Sequence, residues 1–322
     1  MPDLISVIIP TFNREKTISR AIESVYSQEY KNIELIIVDD FSKDNTFTIV
    51  TDLQKKFQNL KYLVNQRSKG ACGARNTGIL NSNGKYVAFL DSDDEWLPSH
   101  LSLRHAILSK KDVNVVFGDF YIVDDASKKN IGVFFENKRT LRELPSIREN
   151  DVVYIESSIA IPLIQENFFH LGTIMLPRSL AAENLFREDI VYAEDRDFGI
   201  RLSLSHGIKF AYITVVTYCL YKHGDSLTTD NYENDIKKWN DLILLFDGYR
   251  KSNQFNSSEN RKIAKELKKI HHTVAICKRK YGMYSDALMY CLDSLNYGIC
   301  FNDFIEFSKS FICLIFKRDH RN

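Results

Sequence analysis

The sequence predicts an α/β domain, a mostly parallel sheet flanked by helices, followed by a C-terminal helical region. Three observations carry this. Short apolar runs alternate with stretches of helical periodicity four times before about residue 91. The runs are apolar at nearly every position, as in strands buried on both faces. After residue 230 strand-like runs give way to helical, basic sequence.

The elements follow in order. Ile5 to Pro10, "ISVIIP", reads as a strand, and Ile18, Ala21, Ile22 and Val25 fall at helical spacing behind it. "IELIIVDD" from Ile33 is a second strand, then a helical "NTFTIVTDLQKKF" with Phe47, Val50 and Leu53 on one face. "LKYLVN" from Leu60 is a third strand, a helix lies around Arg75 to Leu80, and "KYVAFLD" from Lys85 is a fourth strand. Beyond residue 110 the pattern loosens, with strand-like "VNVVFGDFYIV" from Val113, a polar stretch near Ser127 to Asn150, and "HLGTIMLPRSL" from His170. A helix is expected at "AEDRDFGIRLSLSHG", where Phe198 and Leu202 share a face and Gly207 suits the stop. "FAYITVVTYCLY" then ends at Lys222 and His223.

A chain of 322 residues holds one large domain or two modest ones. Its 43 Lys and Arg nearly cancel 42 Asp and Glu, so no nucleic acid is expected as partner. Six cysteines without a C-x-x-C pair read as reduced thiols, and "MPDLISVIIP" does not resemble a signal peptide. The reduced thiols suit a cytoplasmic protein, free or peripheral on the inner face of the plasma membrane, and since no apolar stretch is long enough for a spanning helix the chain is not expected to be integral to a membrane.

In parallel sheets ligands bind beyond the carboxyl ends of the strands. Those ends are Pro10 to Arg14, Asp39 to Asp44, and Asp91 to Asp94, all on one edge. The last, within "FLDSDDEW", puts four acidic side chains into five positions, which calls for a cation or hydrogen-bond donors nearby. No G-x-G-x-x-G follows the first strand and no P-loop occurs, so any nucleotide is held without those phosphate cradles.

Across roughly the first 225 residues, "SVIIPTFNRE", "ELIIVDDFSKDNT", "GARNTGI", "GKYVAFLDSDDEWLP" and "YAEDRDFGIRL" stand in an order and spacing that resembles the family 2 inverting nucleotide-sugar glycosyltransferases of GT-A fold. "YKHGDSLT" is similar to that family's later His-containing loop. The resemblance implies a domain over 1–230, with a donor half at about 1–110 and an acceptor half at about 111–230, and a separate helical region at 231–322. It implies that Asp91-Ser92-Asp93 is a D-x-D motif, with Asp93, and Asp91 sharing, on a Mn²⁺ or Mg²⁺ ion that bridges the donor diphosphate. Pro10, Thr11, Arg14, Asp39, Asp40, Arg75, Asp91 and Ser92 would hold a UDP-sugar, with Asp40 on uracil. Asp195 would be the base that takes the acceptor proton, and Glu194 and Asp94 would touch the acceptor. Acids in the first turn of a helix also need no catalytic purpose. His223 is either a diphosphate or metal contact or an exposed polar residue. Trp96 is either a wall for a sugar face or a core residue.

Arg261 to Lys280 carries eight Lys or Arg against Glu266 alone, and Ile263, Leu267, Ile270 and Val274 form an apolar stripe. Such a helix suits an anionic membrane surface, a homo-oligomer contact or packing within the protein. The tail, with Phe311 to Phe316 and a basic end, adds to the first of these. The implied activity is metal-dependent transfer to a glycan hydroxyl, on a polyprenyl-diphosphate-linked acceptor, in O-antigen, capsule or related synthesis. The alternatives are a catalytically silent glycan-binding scaffold of the same fold and a sugar-phosphate nucleotidyltransferase.

Overall fold

The structure, a computed structural model, describes residues 2–110, 112–223, 232–299 and 301–318. It divides into two compact units, Met1–Ser226 and Leu227–Asn322.

In the first unit β1 (Ile5–Thr11), α1 (Ile18–Tyr26), β2 (Ile33–Asp39), α2 (Thr46–Lys56), β3 (Leu60–Val64), α3 (Ala71–Leu80) and β4 (Tyr86–Phe89) follow the fourfold alternation in the sequence. The strands stand in the order β3, β2, β1, β4 and all are parallel. Every residue of β1, β2 and β4 is buried, which is why these strands lack polar alternation. α1 buries Ile18, Ala21, Ile22 and Val25 as their spacing predicts. α2 departs from expectation, because Phe47 is 57% exposed and rests edge-on against Tyr62. Its first turn is fixed instead by Thr46, whose buried hydroxyl donates to Asp44 and accepts from the Arg14 amide.

The rest of the unit comprises β5 (Glu95–Trp96), α4 (His100–Leu108), β6 (Val115–Gly118), β7 (Tyr121–Asp124), β8 (Lys129–Val133), α5 (Arg139–Arg142), β9 (Ser146–Glu149), β10 (Val152–Ile155), α6 (Ala160–Gln165), β11 (Met175–Pro177), α7 (Arg178–Glu183), α8 (Glu194–Leu204), β12 (Phe210–Ile213) and β13 (Tyr218–Lys222). Beyond β4 the sheet continues through β11, β6, β12, β10 and β9, giving nine strands among the described residues. Seven run in one direction, with β11 and β10 reversed, so the sheet is mostly parallel. The run "FAYITVVTYCLY" is divided between β12 in this sheet and β13 in a second sheet of β5, β13, β7 and β8. α8 buries Phe198 and Leu202, and Gly207 beyond its end takes φ +75°, the left-handed conformation glycine favours.

The second unit consists of α9 (Tyr232–Lys251), α10 (Ser257–Lys280), α11 (Tyr284–Ser294) and α12 (Phe301–Arg318). Asn256 and Glu259 close a capping box at the start of α10. The stripe of Ile263, Leu267, Ile270 and Val274 is buried within the described residues. The apolar stripe of α10 is therefore covered, while Lys262, Lys265, Lys269 and Lys280 are exposed, as is Ile276 beside them. The five described cysteines are free thiols, and Cys300 lies outside the described residues. Among the described residues no helix is long and apolar enough to cross a membrane.

Candidate active site

Because β1 and β2 are parallel and in register, Thr11 ends opposite Asp39, and the Asp40 amide donates to the Thr11 carbonyl at 2.8 Å. The loops beyond them are tied together. The Asn13 amide donates to Ser42 Oγ and the Arg14 amide to Thr46 Oγ1, each at 2.8 Å. Both loops pass through left-handed backbone, Asn13 at φ 52° and Phe41 at φ 67°, and Phe12 and Phe41 are turned toward solvent. These two exposed aromatics were missed in the sequence, where Phe12 stands inside a motif read for its backbone. Pro10 is buried in β1, and the buried Thr11 hydroxyl has no hydrogen-bond partner among the described residues.

Asp39 and Asp40 are both buried and both engaged. Asp39 accepts from the Ser42 amide at 3.0 Å and Tyr62 Oη at 2.8 Å. Asp40 accepts from Asn65 Nδ2 at 2.7 Å and the Gly70 amide at 2.8 Å. The second contact ties the end of β2 to the start of α3.

The acidic loop after β4 deals with each of its aspartates differently. Burial would raise the Asp91 carboxyl, but the Arg75 guanidinium at 2.8 Å, His170 and Arg14 together hold it below its ordinary range. Asp93 Oδ2 lies 3.4 Å from Arg14 Nη2 and 2.9 Å from His223 Nε2. Arg20 of α1, also missed in the sequence, donates to the Asp93 carbonyl and places its guanidinium 3.6 Å over the Tyr221 ring. Asp94 is pushed well above its ordinary value by burial and by the negative charge of Asp93 and Asp91. Ser92 is buried between them.

Arg75 reaches this loop because α3 lies close on the sheet. A Cβ on Gly78 would stand 2.4 Å from Ile8, and one on Gly73 1.9 Å from the Ser68 carbonyl oxygen. Arg75 is buried, and its second amine stands 3.2 Å from Glu194 Oε1 at the start of α8. One guanidinium thus joins the acidic loop after β4 to Glu194 at the start of α8. Burial, reinforced by Asp195 and opposed by Arg75, pushes the Glu194 carboxyl up to about 7. Asp195 accepts from its neighbour Arg196's amide at 2.6 Å and from Asn167 Nδ2 at 3.1 Å. Asn167 and His170 come from the weakly patterned region and carried no sequence signal. His170 Nδ1 accepts from the Gly172 amide at 3.2 Å, so a proton on the neutral ring sits on Nε2. Burial lowers the His170 pKa against the opposing pull of Asp91 and Asp195.

Two expectations are corrected. Trp96 is 1% exposed, donates its indole N–H to the Gly172 carbonyl at 2.7 Å and stacks on His100 at 4.2 Å, so it belongs to the core and offers no wall to a sugar. Asp94, expected at the acceptor, is 4% exposed; it accepts from Tyr218 Oη and, at 2.8 Å, from the Tyr221 amide, and so fastens β13 to the loop. Gly224 to Thr228, the remainder of the His-containing loop, lies outside the described residues. Among the described residues no three His, Cys, Asp or Glu side chains converge as a ready metal site. Asp93 and His223 form a two-donor edge, which fits a cation that takes its other ligands from a diphosphate. A separate concavity of about 750 Å³, lined by Asp119, Arg142, Arg148 and Tyr212 among others, lies beyond the ends of β6 and β12.

Strand-end carboxylates and a helix-borne acid pair on one edge of a mostly parallel sheet make this a fold of GT-A type. The family model described as glycosyl transferase family 2 matches residues 6–162. The β-1,3-glucosyltransferase WfaP of Escherichia coli is 39% identical over 197 residues, 59% of this chain and 77% of that one. WfgD of the same species is 40% identical over 124 residues, 38% of this chain and 48% of that one. Both are described as acting with UDP-Glc on α-D-GlcNAc-diphosphoundecaprenol. A β-1,3-glucosyltransferase of Campylobacter jejuni, described as acting on GalNAc(5)-diNAcBac-PP-undecaprenol, is 46% identical over 103 residues, 32% of this chain and 33% of that one. The chain therefore spans about half of WfgD and a third of the Campylobacter protein. Among solved structures, S. aureus TarS with UDP-GlcNAc superposes with a TM-score of 0.62 at 18% identity, over 95% of this chain and 79% of that one. The mannosyltransferase PcManGT of Pyrobaculum calidifontis, with GDP-Man and Mn²⁺, gives 0.57 at 16% identity, over 97% and 80%. The chain belongs to glycosyl transferase family 2.

Proposed function

We propose that this glycosyltransferase moves glucose from UDP-glucose, with inversion at C1, to a hydroxyl of a glycan carried on polyprenyl diphosphate, in the assembly of a bacterial surface polysaccharide such as O-antigen or capsule. The observation that carries this reading is the Arg75 bridge, which sets the donor-side Asp91 and the acceptor-side Glu194-Asp195 pair around one guanidinium. The descriptions of WfaP and WfgD support the donor and acceptor classes.

Residues 1–110 form the donor half in this reading, 111–230 the acceptor half, and 231–322 a separate helical region. Phe12 and Phe41 flank the base, while Pro10, Thr11, Arg14, Asp39, Asp40 and Ser92 shape the wall that receives the nucleotide, and the unpartnered Thr11 hydroxyl is free to bond it. Asp93 and His223 would hold Mn²⁺ or Mg²⁺, which when bound supplies positive charge to the departing diphosphate. Asp91 borders the donor with Arg75 behind it. Asp195 takes the proton of the acceptor hydroxyl as its oxygen attacks C1 from the face opposite the diphosphate, and Asn167 keeps the carboxylate aimed. Glu194, whose carboxyl burial raises to about 7, orients the acceptor. The reaction runs in the cytoplasm at the inner face of the membrane.

The test is UDP release by purified protein from a panel of UDP-, GDP-, TDP- and CMP-sugars with Mn²⁺ or EDTA, with and without a GlcNAc-diphosphate lipid analogue. Acceptor- and cation-dependent release from UDP-glucose, lost in Asp93→Ala, is expected. If no nucleotide sugar binds with the cation present, the donor site is wrongly assigned.

A further inference from the structure

We infer that the outward face of α12 is a contact surface for an anionic lipid bilayer. The helix is amphipathic in the reverse of the usual sense. Its covered side carries polar residues: Asp303 is 3% and Ser310 0% exposed. Lys268 Nζ lies 2.7 Å from Asp303 Oδ2 and His272 Nε2 2.8 Å from Oδ1. Arg279 reaches Glu306 at 2.8 Å and Ser310 at 3.2 Å. A polar and ionic seam therefore fastens α12 to α10.

The opposite side carries Phe304, Phe311, Ile312 and Ile315, exposed by 64, 44, 52 and 47%. Their spacing puts them on one stripe. Single exposed apolar residues need no explanation, but a continuous stripe above a buried ionic seam is an apolar face with its partner still to come.

Charge identifies that partner. Residues 227–322 hold 16 Lys and Arg against 12 Asp and Glu, a net +4, whereas residues 1–226 hold 27 against 30, a net −3. On α10, Lys262, Lys265, Lys269 and Lys280 are exposed and share one side at helical spacing. An apolar stripe on a cationic unit suits an interfacial helix on anionic lipid. Pairing with a second copy would bring two +4 units together against their repulsion. The inference deepens the proposed function, on which it rests only for its purpose: a lipid-linked acceptor is met at such a surface.

The test is flotation of the full chain with phosphatidylglycerol vesicles or pure phosphatidylcholine vesicles, both free of donor and acceptor, so its result is independent of whether the transfer reaction is correctly assigned. About tenfold more protein is expected on the anionic vesicles, with most of that binding lost in F304S/F311S/I312S and in high salt. K262E/K265E is expected to weaken it about threefold or more. All variants should keep the wild-type circular dichroism and thermal midpoint. Absence of binding to anionic vesicles, or undiminished binding by the triple variant, overturns the inference. So does a wild-type dimer in light scattering that the triple variant converts to monomer, which makes a second copy the occupant.

Discussion

Arg75 Nη2 stands 2.8 Å from Asp91 Oδ1, across a buried contact that also brings its Nη1 to 3.2 Å from Glu194. Removing the guanidinium leaves two largely covered carboxylates facing each other without a cation. Arg75→Ala should cost about 3 kcal/mol of stability, the lower part of the range for breaking a buried pair, because both carboxylates keep some solvent. Arg75→Lys keeps the charge but not the planar fork, so it should recover part of the stability while transfer stays impaired. Urea denaturation and turnover on the same preparations check both. A stable Arg75→Ala protein with normal turnover would show that the bridge organises nothing.

Glu194 gives the fold a pH dependence of unusual sign for a carboxylate. Its folded-state value of about 7 lies above the 4.5 of an ordinary glutamate, so the folded chain binds this proton more tightly. The stabilisation is complete below about 4.5 and disappears as pH rises through 7, to the extent of roughly 3 kcal/mol at most. Glu34 works oppositely. Burial would raise it, but Lys61, Ser6 and Asn83 hold it at about 2, so its contribution is present above 4.5 and lost as pH falls toward 2. Glu194→Gln removes the first dependence and keeps the second. Between pH 5 and 8 the wild type should therefore lose roughly 2 to 3 kcal/mol relative to Glu194→Gln in denaturant titrations. Parallel pH curves for the two proteins would contradict the raised carboxyl.

What the sequence made legible was local. The buried strands β1, β2 and β4 and the inward face of α1 follow from runs and spacings of a few residues, and the acidic strand ends share one edge because parallel strands must. The Arg75 bridge was not legible, since Arg75 and Glu194 are 119 positions apart and only the approach of α3 to the sheet sets their distance. Asn167 and His170 sit in loops whose course depends on α6, β11 and α8 together. For Trp96 and Asp94 the residue type suited a ligand and a core equally, and the partners that decide, Gly172, Tyr218 and Tyr221, arrive from more than 75 residues away. In α12 the sequence showed only the run Phe311 to Phe316, and Lys268 and Arg279 of another helix determine that the polar side is the covered one.

The placement of Trp96 separates a core role from a sugar-binding one. Trp96→Ala should lower stability by about 3 to 5 kcal/mol through cavity formation and loss of the bond to Gly172. Trp96→Phe keeps most of the packing on His100 and should leave the acceptor KM within about twofold of wild type, since the ring does not reach solvent. Thermal melts and acceptor titrations distinguish the roles. A large rise in acceptor KM without loss of stability would return Trp96 to the acceptor site.

In the proposed reaction Asp195 is the base and Asn167 aims it. Asp195 has one oxygen near the Arg196 amide and the other near Asn167 Nδ2, so its direction is set by two donors, one fixed in the backbone and one on a side chain. Asp195→Asn preserves shape while removing the proton acceptor, and should lower kcat by about 10² to 10⁴ with UDP-sugar binding intact. Asn167→Ala leaves the carboxylate present but less constrained, and should lower kcat about tenfold with little change in donor affinity. Single-turnover rates alongside donor calorimetry resolve the two. If Asp195→Asn turns over at the wild-type rate, the base lies elsewhere; if instead it loses donor binding, the pair serves the nucleotide and the acceptor-side assignment of α8 fails.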